Sequence, residues 1–99
     1  MKHLLKVTQE DIDNGIRQDP TSCPIARSLA RDFGIHVGVE VEEEIILYIG
    51  GRMYTYKFRY DQDSIIERFI RVFDNEYPVE PFEKEINLEE FDNSDYFEE

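Results

Sequence analysis

The side chain best placed for nucleophilic chemistry in this sequence is Cys23, its single cysteine. It stands before Pro24 at the predicted start of a helix, where the helix dipole lowers the pKa of a thiol. Nucleophilic catalysis also needs a base within hydrogen-bond reach, and no motif places His3 or His36 beside this thiol. We therefore predict that Cys23 packs the helix start and that the chain is not an enzyme.

Metal and cofactor chemistry lack the residue spacing that they require. His3 and His36 are far apart in the sequence, and with one cysteine they make no zinc-ligand pattern. The acidic residues lack the alternating spacing of a calcium loop, and no phosphate-binding or dinucleotide-binding glycine pattern is present. We predict no metal and no cofactor.

Carboxylates are the functional groups that the sequence supplies in excess. Twenty-three acidic residues face eleven basic ones, which gives a net charge of −12. Residues 1–75 hold thirteen acids and ten bases, whereas residues 76–99 hold ten acids and one base. Such a chain repels nucleic acid and anionic membranes and attracts basic surfaces, so we predict a basic partner and no direct nucleic-acid binding.

The acidic C-terminal segment, residues 88–99, is the main candidate contact region. If it is helical, its six carboxylates are about 3 Å apart along the axis, close to the roughly 3.4 Å between phosphates of a single strand. If it is extended, the spacing widens to about 6–7 Å and the likeness fades. Leu88 and Phe91 are three residues apart, so in the helical case they would anchor one turn on the body. The candidate partner-binding residues are this segment's acids and a secondary patch in a charged turn: Glu89, Glu90, Asp92, Asp95, Glu98, Glu99, Glu42, Glu43 and Glu44.

Two other interpretations of the acidic segment stay open. It is a disordered terminus that only keeps the protein soluble, or it is an internal clamp that binds Arg27 and Arg31. The three aromatic residues Phe91, Tyr96 and Phe97 favour more than a solubilising role.

The surrounding elements predict an α+β fold. Residues 1–87 form one domain, with a small antiparallel sheet built around a central hairpin at 45–60 and packed by amphipathic helices at 23–33 and 64–74. The acidic segment 88–99 follows. Flanking elements are strands at 3–7, 35–41 and 82–88, a short helix between Thr8 and Gly15, helix caps at Ser22 and at Asp63 or Ser64, and a turn at Gly50-Gly51.

An aromatic face on the second hairpin arm has two interpretations. Its residues are Tyr54, Tyr56, Phe58 and Tyr60. Such a row stacks on bases in RNA-binding sheets, but those sheets have basic surroundings and this chain has a pI near 4.5. We predict that the row packs in the core.

Hydropathy and cysteine usage bear on location. The longest apolar run, residues 45–49, is far shorter than the about 20 residues of a membrane span. The first six residues contain no apolar stretch long enough for a signal peptide. One cysteine excludes an internal disulfide, which agrees with a reducing compartment. We predict a cytoplasmic location, in the host cell's cytosol.

Two segments resemble a group of small phage and prophage proteins. Residues 8–15, TQEDIDNG, with Cys23-Pro24-Ile25-Ala26 match its T-x-E-D-I-x-x-G and C-P-I-A elements. Residues 73–82, FDNEYPVEPF, are similar to its F-D-x-x-x-P-V-x-P-F element. The resemblance implies phage origin and no particular activity. A weaker likeness joins the glycine-linked hairpin, residues 64–70 and the acidic end to a small Cas9-inhibiting anti-CRISPR protein.

Charge and resemblance together predict a function. The chain is expected to be a phage-encoded acidic inhibitor, a nucleic-acid mimic that blocks the basic groove of a host nucleic-acid-binding defence protein. A CRISPR effector or a restriction enzyme is the expected target. The alternative is a phage accessory or regulatory protein that binds other proteins without mimicry.

Overall fold

The computed structural model describes residues 1–34, 38–41, 43–58 and 64–91. These residues form six strands and three helices. In chain order they are β1 (Lys2–Val7), α1 (Gln9–Asn14), α2 (Pro24–Phe33), β2 (Gly38–Val41), β3 (Ile45–Ile49), β4 (Arg52–Tyr56), α3 (Ile65–Asp74), β5 (Phe82–Asn87) and β6 (Glu89–Glu90). The strands make two antiparallel sheets beside the helices, which confirms the predicted α+β class.

The larger sheet has four strands in the order β2-β3-β4-β6. Its centre is the β3–β4 hairpin, in which Ile45 pairs with Tyr56 and Ile49 with Arg52. Gly50 and Gly51 have φ angles of 57° and 79°, which glycine adopts without steric cost, and this confirms the predicted hairpin turn. The predicted second arm, 52–60, is shorter in the structure: β4 ends at Tyr56 because β3 offers no partner before Ile45.

The smaller sheet consists of β1 and β5, paired from Lys2↔Asn87 to Val7↔Phe82. One residue after β5 the chain reaches Leu88, which is fully buried and donates its N–H to the Met1 carbonyl over 2.7 Å. The chain then continues as β6, which pairs with β4. A nearly continuous extended segment, residues 82–90, therefore joins the two sheets.

Helix caps fix where α1 and α2 begin. Thr8 closes a capping box with Asp11, which confirms the predicted cap. The predicted Ser22 cap of α2 is wrong by one residue, since the Cys23 sulfur accepts the Ala26 N–H over 3.4 Å. Ser22 lies in the turn before the helix, where its N–H donates to the Asp19 side chain over 3.1 Å. Pro24 then takes the first helical position, where its missing N–H costs nothing.

The core lies between the helices and one face of the larger sheet. Ser64 caps α3 by accepting the Glu67 N–H over 3.1 Å. The buried cluster joins both sheets, α2 and α3, and its fully enclosed members include Leu5, Ile25, Leu29, Ile45, Leu47, Ile66 and Leu88. Among the residues that the structure describes, no helix is long and apolar enough to cross a membrane.

Candidate partner-binding surface

The strand register divides the four-stranded sheet into two faces. Val39, Leu47 and Tyr54 form one cross-strand row, and this face belongs to the core. Tyr54 and Tyr56 pack against the core cluster, and Phe58 is 2% exposed. The predicted core packing of the aromatic row is thus confirmed for these three residues, while Tyr60 lies outside the described ranges.

The opposite side of the sheet carries a different set of residues, here called the outer face. Its first cross-strand row runs from β2 to β6 and consists of Glu40, Ile46, Thr55 and Glu89. Its second row contains the neighbouring pair Tyr48 and Met53 on β3 and β4. None of its apolar members belongs to the core cluster, and Tyr48 is 44% exposed.

Four of the nine predicted contact residues lie in the described ranges. Glu89 and Glu90 form β6 at the sheet edge and are both exposed. Glu43 and Glu44 lie in the segment that enters β3, Glu43 exposed and Glu44 half-buried. Outside the described residues lie Asp92, Asp95, Glu98, Glu99 and Glu42.

Of the two conformations that the sequence left open for the acidic segment, its described part takes the extended one. Leu88 does anchor the segment, but Glu89 pairs with Thr55 and Glu90 with Tyr54, as a strand. The Phe91 N–H extends the ladder by donating to the Met53 carbonyl over 2.7 Å. Residues 89–91 pair with the backbone N–H and C=O groups on the open edge of β4. This pairing is more favourable than a single helical turn, because starting a helix is costly.

The two predicted acidic patches are near one another without merging. Glu44 precedes β3 and Glu89 begins β6, so β4 lies between them. Two strand spacings across and two residues along the strand separate their backbones by about 12 Å. The β3–β4 register, extended one residue past the Ile45–Tyr56 pair, places Lys57 opposite Glu44. The described carboxylates of the two patches therefore do not form one unbroken array.

Most other acids of β5 and β6 face a basic neighbour. Exposed ion pairs join Lys2 to Glu85 at 3.9 Å, Lys6 to Glu83 at 3.7 Å and Arg52 to Glu90 at 3.6 Å. Such pairs contribute at most about 1 kcal/mol each but offset charge locally.

Two acids of the outer face differ in this respect. Within the described ranges, neither Glu40 nor Glu89 forms an ion pair. Glu40 was not among the predicted contacts, although the alternation of β2 placed it opposite the buried valines. What the sequence did not indicate is that β6 would bring a second such acid to the far edge of this face.

Arg31 belongs to a network inside the domain. Its guanidinium donates to both Asp11 oxygens at 2.7 Å and to the Lys6 carbonyl at 2.9 Å. Burial raises the pKa of Asp11, but the hydrogen bonds from Arg31 and Thr8 outweigh it and hold this pKa below its usual value. Within the described ranges, Arg31 therefore binds α1 and β1 and makes no contact with the acidic segment.

Cys23 is a packed cap and its pKa moves opposite to the dipole expectation. The residue is 8% exposed, and burial raises the pKa of its thiol despite hydrogen bonds from the Ala26 and Ile25 amides. His3 is engaged elsewhere, with its Nε2 3.1 Å from an Asp32 oxygen. In the described part of the chain, no three His, Cys, Asp or Glu side chains are grouped to hold a metal ion.

Comparison with known proteins found no relative of this chain. No protein-family model, curated protein or solved structure matches the chain.

Proposed function

We propose that this protein is an acidic, non-catalytic inhibitor that occupies the basic groove of a nucleic-acid-binding protein with carboxylates in place of phosphates. The observation that carries the proposal is that the acidic segment starts from a fixed edge of the sheet. The sequence resemblance supports a phage origin, and the charge with the weaker likeness to an anti-CRISPR protein supports a host defence target such as a CRISPR effector or restriction enzyme.

The fixed edge has two attachments. Leu88 is fully buried before β6, and Phe91 is hydrogen-bonded to β4 after it. Glu89 is exposed between them. A carboxylate held by its backbone loses little conformational freedom when it meets a lysine or arginine, so more of the attraction remains as affinity.

The strand geometry changes the form of mimicry. Successive side chains of β6 point to opposite faces, so Glu89 and Glu90 do not line up on one face of the sheet. The phosphates of one nucleic-acid strand, by contrast, follow one another at about 3.4 Å. The proposed inhibitor therefore makes a few ion pairs and is drawn in by the long-range attraction of its net charge of −12.

A displacement assay tests the proposal. Labelled DNA is bound to a type II CRISPR effector with its guide RNA, or to a restriction endonuclease, and its polarisation is followed as the protein is added. We expect displacement at 50 mM sodium chloride that weakens strongly at 500 mM, because salt screens exposed charges. Intact DNA binding by both target classes at low salt contradicts the proposal.

Truncation separates mimicry from the alternative of an interaction module. Deletion begins after Phe91, because Leu88 is buried and removing it disturbs the fold. We expect the protein lacking residues 92–99 to displace DNA poorly, and the variant Glu67→Gln, on the exposed side of α3, to act like wild type. The partly exposed apolar residues of the outer face favour the module, which predicts unchanged partner binding after the truncation.

A further inference from the structure

The outer face of the four-stranded sheet carries apolar side chains that the acidic mimicry does not use. The inner face is filled by the core, whereas Ile46, Tyr48 and Met53 lie outside that core and stay partly or largely exposed. Partly exposed apolar side chains clustered on a sheet, with acids at the rim, are typical of a site that binds another protein.

The dimensions of the outer face fit one helix. Glu40 stands on one edge strand and Glu89 on the other, in the same cross-strand row. Three strand spacings place their backbones about 14 Å apart. An α-helix with its side chains is about 10–12 Å wide, so it fits over β3 and β4 between the two acids.

The charges define the chemistry of that helix. Glu40 and Glu89 are exposed, and within the described ranges neither forms an ion pair. By extension of the β3–β4 register, Glu44 and Lys57 stand opposite one another beyond one end of the face. We propose that the outer face docks a basic amphipathic helix of a partner protein, with an apolar stripe over Ile46, Tyr48 and Met53 and lysine or arginine on both flanks.

Other occupants fit these charges less well. If two copies of the chain met through this face, Glu40 and Glu89 of one copy would lie near the same acids of the other, and this like-charge contact is unfavourable. Nucleic acid and anionic lipid meet the same carboxylates with like charge. The proposal shares Glu89 with the mimicry but does not need residues 92–99, because its other residues lie on β2, β3 and β4.

The test uses three synthetic 18-residue peptides and the 15N-labelled full-length protein. The first peptide has a leucine stripe flanked by lysine, the second has the same composition in scrambled order, and the third has glutamate flanks. We expect only the first to give saturable amide shift changes, confined to the four strands of the larger sheet. No saturable change, changes on α2 or α3, or equal binding of the glutamate-flanked peptide each overturn the proposal.

Charge variants give the matched comparison. Because an exposed ion pair is worth little, the double variant Glu40→Gln, Glu89→Gln is expected to weaken peptide binding about threefold to tenfold. The control Glu67→Gln, Glu80→Gln removes two exposed acids of α3 and of the segment before β5 and leaves affinity unchanged. Tyr48→Ser, checked for unchanged spectra elsewhere, weakens binding through lost apolar contact. Equal effects of the two double variants refute the charge assignment.

Two further measurements identify rival occupants. If the outer-face amides shift with protein concentration in the absence of peptide, a second copy covers the face. If deleting residues 92–99 shifts the same amides and tightens peptide binding, the chain itself covers it. Either result overturns a partner helix, whereas failure of the DNA displacement assay leaves this proposal standing.

Discussion

The anchoring of the acidic segment leads to a quantitative prediction for Leu88→Ala. Leu88 is fully buried where the two sheets meet. Truncating a buried leucine to alanine costs about 2–5 kcal/mol, because transfer energy is lost and a cavity remains. For a domain of this size, each kcal/mol lowers the melting temperature by about 4–8 °C. A cost near 3 kcal/mol therefore lowers it by about 12–24 °C.

Leu4→Ala is the matched control. Leu4 lies on β1, is 50% exposed, and its truncation is expected to change the free energy of unfolding by less than about 0.5 kcal/mol. Urea denaturation followed by far-UV circular dichroism measures both variants, and amide exchange at Phe91 reports whether β6 has detached. If Leu88→Ala costs no more than Leu4→Ala, Leu88 does not hold the segment and the fixed carboxylate of Glu89 is lost from the proposal.

Three other predictions concern the domain. Asp11→Asn should cost about 1–3 kcal/mol in urea denaturation at pH 7. Ionised Asp11 stabilises the fold above its unfolded pKa, and that contribution is lost as pH falls through its lowered folded pKa, so the difference from wild type should narrow as pH falls below about 4. A difference of the same size at every pH contradicts the assignment. Gly15→Ala should cost about 1–3 kcal/mol in the same assay, because its Cβ would lie 2.6 Å from the Pro24 ring and 2.8 Å from the Asp11 carbonyl, and an unchanged midpoint is the contrary result. Iodoacetamide should label Cys23 at least roughly tenfold more slowly in the native protein than in urea, since burial raises its pKa, and equal rates would show an accessible thiol.

Local patterns in the sequence predicted most elements correctly. Apolar alternation identified β2, Gly50-Gly51 identified the hairpin, and Thr8 identified the start of α1, because each depends on neighbours within a few residues. The cap of α2 was misplaced because Ser22 and Cys23 are adjacent candidates. The Asp19 side chain accepts the Thr21 and Ser22 N–H groups, so Ser22 belongs to the turn and Cys23 is the cap.

The pairing of strands that are far apart in the chain could not be predicted from the sequence. Nothing near residue 88 indicates that β4 has an open edge, so a three-residue spacing suggested a helical turn where a strand forms. The outer face could not be predicted for the same reason. Glu40 and Glu89 are far apart in the chain, and only the strand order β2-β3-β4-β6 brings them to opposite edges of one face.

The pairing of β1 with β5 has a consequence for synthesis of the protein. The partners of residues 2–7 are residues 82–87, so β1 leaves the ribosome long before the strand with which it pairs. Closing so long a loop slows folding relative to a chain of local contacts. Until then β1 carries an unsatisfied edge, with Lys2 and Lys6 as charges that discourage pairing with another nascent chain.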